Sequence, residues 1–88
     1  MDVSAEKISK EKQDELDITS WGIWECEAST FDWHYDNKET CYIIEGSARV
    51  KYGDKEVSFT RGDLVVFPKG LKCDWNIKKP VRKHYKFG

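Results

Sequence analysis

From about residue 21 onward, large apolar side chains fall at every second position. Trp24, Cys26 and Ala28 alternate with Ile23, Glu25 and Glu27, and Phe31, Trp33 and Tyr35 alternate with Asp32, His34 and Asp36. Period two marks a strand with one face against a core. Residues 40–45 are rich in strand formers and stop at Gly46, after which Ala48, Val50 and Tyr52 alternate with Ser47, Arg49 and Lys51. Gly53-Asp54 predicts a two-residue hairpin loop, because glycine supplies the positive φ such turns demand. Residues 56–60 return from it, and Arg61-Gly62-Asp63 turns the chain again. Residues 64–67 form a short apolar run closed by Pro68-Lys69-Gly70. Cys73, Trp75 and Ile77 then share one face, and Pro80 opens a last strand over 81–87.

Seven or eight short strands with turn signals between them predict an all-β sandwich or barrel. A closed barrel or double-sheet jelly roll would hide the edges that so many strands create. Residues 1–20 lack this alternation. Ser9 is placed to cap a short helical turn over residues 10–16, so the segment reads as an N-terminal arm. Residues 21–88 remain as a single domain.

Composition narrows the function. Fifteen Lys and Arg against sixteen Asp and Glu give a net charge of −1, without the basic footprint of a nucleic-acid binder. No apolar run approaches the roughly 20 residues of a membrane span, and the charged start lacks the apolar core of a secretory signal. Three widely spaced cysteines, Cys26, Cys41 and Cys73, fit free thiols in a reducing compartment, so a cytoplasmic location is expected. Four Trp, four Tyr and four Phe in 88 residues are a surplus that serves either a core or a pocket.

Two segments carry a resemblance. In Glu39-Thr40-Cys41-Tyr42-Ile43-Ile44-Glu45-Gly46, a Glu precedes a Gly by six intervening residues; Gly62-Asp63-Leu64-Val65-Val66-Phe67-Pro68-Lys69-Gly70 runs from Gly to Pro-x-Gly. Fifteen residues, enough for one hairpin, separate Gly46 from Gly62. The pair resembles the two signature motifs of the cupin superfamily. The surrounding wording is similar to the ureidoglycine aminohydrolase and ethanolamine-utilisation type of cupin. The resemblance covers about residues 20–87 and implies a double-stranded β-helix barrel, the cupin jelly roll.

The resemblance also says where metal ligands would stand: two His shortly before the Glu, and a third after Pro-x-Gly. Glu39 matches the Glu and Cys73 stands at the third His position. One register puts Trp33 and Tyr35 at the first two positions, and the other puts Asp32 and His34 there. His34, Glu39 and Cys73 are therefore the candidate metal set, N, O and S donors that a zinc ion accepts; manganese is the other ion considered. Each has a plainer explanation: a surface or hydrogen-bonded barrel-mouth histidine, a buried carboxylate paired with an Arg or Lys, of which Arg82 and Arg49 are candidates, and a packed thiol. To be reactive the Cys73 thiol would need His84 or a cation beside it and some exposure. Trp33, Tyr35, Glu39, Cys73 and Trp75 are the candidate ligand-binding residues.

The leading expectation is a small cupin that binds a small molecule in its barrel beside a degenerate metal site. A metal-dependent enzyme acting on a small polar nitrogenous or sugar substrate is the second, and a non-catalytic dimeric interaction module the third. A homodimer is expected, with neither nucleic acid nor membrane as partner.

Overall fold

The computed structural model describes residues 2–88. The strands are β1 (Ser4–Lys7), β2 (Gly22–Cys26), β3 (Ser29–His34), β4 (Glu39–Tyr52), β5 (Lys55–Thr60), β6 (Asp63–Phe67) and β7 (Lys72–Phe87). A single short helix, α1 (Lys10–Glu15), and a 3-10 turn (Ile18–Ser20) join β1 to β2. All pairings are antiparallel.

Two long strands organise the rest. The first part of β4 pairs with β6 and the later part with β5. The first part of β7 pairs with β3 and the later part with β2. β4 and β7 also pair with each other along their length, so each long strand passes from one layer of the jelly roll to the other. The bend falls at Gly46, opposite Lys79 and Pro80, where the β4–β7 register shifts. Gly46 has φ +90, and a Cβ there would stand 2.1 Å from the Pro80 carbonyl oxygen. Only glycine admits both the conformation and that approach. Sequence punctuation at Gly46 and Pro80 therefore marks bends rather than ends: what reads as four short strands is two long ones.

The N-terminal segment is tied in more closely than an arm. Strand β1 pairs with β6, from Ser4 opposite Val66 to Lys7 opposite Asp63, and Val3 joins the core. A four-residue edge strand with mostly exposed side chains carries no alternation to betray it. The helical turn is as expected, with the Lys12 N–H donating to Ser9 Oγ at 3.1 Å as an N-cap.

The aromatic surplus serves both purposes. Tyr35 stacks on Phe67 with ring centroids 4.8 Å apart, and Phe59 meets Trp75 edge-on at 5.4 Å. Tyr35, Phe59, Phe67 and Trp75 are all buried, and each contributes roughly 1.5–3 kcal/mol by leaving water. Trp24, Phe31, Trp33, Tyr85 and Phe87 stand beside this cluster and line a cavity.

Candidate functional site

Strand alternation decides which side chains share the barrel interior. Partners in antiparallel register point to the same face. Phe31 lies opposite Trp75 and Trp33 opposite Cys73, whereas Asp32 faces Asp74 and His34 faces Lys72. Trp24 on β2 lies opposite Lys83 on β7. The inward set thus runs Trp24, Phe31, Trp33, Tyr35, Trp75 and Lys83, and Glu39 joins it from the start of β4.

These residues, with Tyr85 and Phe87, line a cavity of about 210 Å³. Its rim is exposed aromatic surface, since Trp33 and Phe87 remain half accessible. Its interior is aromatic except for one ion pair. Lys83 Nζ donates to Glu39 Oε2 at 2.7 Å, with both side chains almost completely buried. The ammonium also stands 4.8 Å from the Trp24 ring centroid and 4.9 Å from that of Trp75. A buried charge needs a partner of opposite sign and a polarisable surround, and Lys83 has both.

Neighbouring groups are held protonated. Burial, and then the Glu39 charge beside it, raises the Tyr35 phenol well above the ordinary range. Burial pushes the Cys41 thiol up to about 12, against the opposing pull of Lys83. Burial also raises Cys73 to about 11, helped by Asp74 and Glu39. Thiols of this kind are neutral at physiological pH and are weak nucleophiles.

Of the residues expected from sequence, Trp33, Tyr35, Glu39 and Trp75 share the cavity. The proposed metal set does not assemble. His34 lies on the opposite face of the β3–β7 pair from Cys73, half exposed, with Nδ1 3.2 Å from Asp36 Oδ1. It borders a separate open depression that Cys73 also reaches, while Glu39 lines the cavity. Among the described residues, no three His, Cys, Asp or Glu side chains are grouped to hold an ion. The register that fits the barrel is the one placing Trp33 and Tyr35, rather than Asp32 and His34, at the ligand positions.

Two other expectations are corrected. The partner of Glu39 is Lys83, not Arg82 or Arg49, which bond Glu25 and Glu56 on the outer surface. Cys73 has no histidine partner, because His84 faces the other way, opposite Tyr42 and beside α1. Sequence reasoning missed Lys83, although the signal was present: it lies on the same alternate positions as Val81 and Tyr85.

This barrel, with its two bent strands and interior cavity, is a cupin domain, the jelly roll expected from the two motifs. The chain belongs to the EutQ-like cupin domain family, which matches residues 13–85. It is 51% identical to a DUF861 family protein of Thermotoga maritima, whose crystal structure superposes with a TM-score of 0.96 over 99% of this chain and all of that one. The crystal structure of Clostridium difficile EutQ is 25% identical, with a TM-score of 0.70, over 97% of this chain and 66% of that one. A curated Clostridioides difficile relative, acetate kinase EutQ, is 31% identical over 64 residues, 73% of this chain. The chain spans 41% of that relative's length.

Proposed function

We propose that the domain binds a small, flat organic molecule in the aromatic cavity, with Glu39 and Lys83 as its polar anchor. The observation that carries this reading is the pairing of one carboxylate and one ammonium inside an otherwise aromatic chamber. The ion pair neutralises itself, so a ligand bringing net charge into the chamber bears an uncompensated desolvation cost. A neutral group that both donates and accepts hydrogen bonds incurs no such cost. A carboxamide or ureido group meets Glu39 with its N–H and Lys83 with its carbonyl oxygen, while its flat body stacks on Trp24, Phe31 or Trp75. This ligand class suits the ureidoglycine-type resemblance. The kinase activity named for the C. difficile relative belongs to a longer protein, of which the match covers 41%.

Benzamide, benzoate and benzylammonium separate the possibilities by NMR of the Trp indole N–H signals. Benzamide is expected to shift the Trp24 and Trp75 signals at millimolar concentration, with both charged analogues at least ~10-fold weaker, about 1.4 kcal/mol. Equal binding of a charged analogue, or no shift with any of the three, removes this reading.

A cytoplasmic location and a homodimer belong to the same proposal. The free thiols of Cys26, Cys41 and Cys73 support a reducing compartment. Strand β2 ends its sheet, and Ile23 on it is half exposed, an apolar edge suited to a second copy. Light scattering at micromolar concentration is expected to give twice the chain mass, and a monomer there refutes the dimer.

A further inference from the structure

The cavity has the position of a cation site but holds a cation of its own. The resemblance places a metal ion beside Glu39, held by two residues on the preceding strand and by one after Pro-x-Gly. In this chain the first two positions are Trp33 and Tyr35, and the third is Cys73, which borders the neighbouring depression rather than this cavity. Trp33 has no lone pair to give an ion, Cys73 stands outside the cavity lining, and the Glu39 carboxylate is already paired with Lys83. The residues present do not fit a metal.

They do fit an ammonium. The Lys83 stem rises from β7 between Trp24, directly opposite in register, and Trp75 on the same face. Its Nζ ends 2.7 Å from the Glu39 carboxylate. Aromatic faces attract an alkylammonium ion through their π electrons and lack the lone pairs that a divalent metal requires. The exchange of donor types and the placement of Lys83 are therefore complementary changes. We infer that Lys83 is a tethered cation that takes the place of the metal ion in this barrel, and that Glu39, Trp24 and Trp75 form its binding site.

A tethered ion differs from a structural lysine in one measurable way: its site accepts the same ion untethered. In Lys83→Ala the stem and ammonium are removed, leaving a space the size of a propylammonium ion against Glu39. Propylammonium at tens of millimolar is expected to raise the melting temperature of Lys83→Ala by ~3 °C or more, by binding the native state alone. Propanol is expected to do so far less. Wild type, and Lys83→Met with its space refilled by an uncharged chain, are expected not to respond to either. Equal stabilisation by propanol and propylammonium, or none by either, overturns the inference.

Where Lys83→Ala does not fold, wild-type protein gives an independent answer. Lysine-selective ¹⁵N NMR is expected to show one slowly exchanging ammonium, ring-shifted by Trp24 and Trp75 and unchanged by one equivalent of Zn²⁺ or Mn²⁺. Stoichiometric metal binding that shifts this signal overturns the inference. These outcomes are separate from the benzamide test, which can fail while the ammonium site stands.

Discussion

Lys83→Met, with Glu39 left in place, is expected to destabilise the domain by about 3–5 kcal/mol. The variant keeps the length and apolar character of the stem, so little packing is lost. What it removes is the charge that pairs with a carboxylate that is 3% exposed. Glu39 is then a buried carboxylate left without its partner, which costs free energy. Glu39→Leu is expected to cost a similar amount by isolating the ammonium, softened by the Trp24 and Trp75 faces. The double variant Glu39→Leu/Lys83→Met is expected to be more stable than either single one, because no buried charge remains. Urea denaturation of all four proteins measures the coupling. If the effects of the two substitutions simply add, Glu39 and Lys83 do not act as a pair.

Gly46→Ala is expected to cost on the order of 3 kcal/mol or more, enough to unfold much of a small domain at physiological temperature. Two penalties coincide. At φ +90 an L side chain is strained wherever it occurs, and here the new Cβ would also press into the Pro80 carbonyl group at 2.1 Å. The obstacle is backbone, so rotamer change gives no relief. The bend of β4 across β7 has to open, and it is this bend that brings Glu39 and Lys83 to the same chamber. Gly53→Ala is the comparison, because it too has positive φ but nothing within reach of its Cβ. Thermal unfolding is expected to show a markedly larger loss for Gly46→Ala. Similar losses would mean that φ alone matters and the contact with Pro80 does not.

The fold was largely legible in one dimension. Period-two alternation placed β2, β3, the later part of β4 and the first part of β7, where a wet face alternates with a dry one, while strand-former content, an apolar run and the turn signals placed the rest. Gly53-Asp54, Arg61-Gly62-Asp63 and Pro68-Lys69-Gly70 marked the turns that separate β5 and β6 from their neighbours. What could not be read was continuity. A glycine or proline interrupts a pattern in the same way whether the strand stops or bends, and only the facing backbone of Lys79 and Pro80 shows that β4 continues. The edge strand β1 was missed for a related reason: its hydrogen bonds to β6 are backbone bonds that leave no mark on side-chain composition.

The candidate site divides along the same line. Sequence alone singled out Trp33, Tyr35, Glu39 and Trp75 as candidates for one barrel interior, through the two motifs and the alternation within each strand. Alternation also excluded His34 from the face that carries Trp33, once the register containing Trp33 and Tyr35 is the one that points inward. Which register that is could not be chosen in one dimension, because the turn over residues 36–38 breaks the phase between Glu39 and the strand before it. Tertiary structure decided it, through the pairing of Phe31 with Trp75 and Trp33 with Cys73. It alone also decided the partner of Glu39. Lys83 lies 44 residues away, and electrostatic pairing depends on distance in space, which the antiparallel packing of β4 and β7 sets and the order of residues along the chain does not.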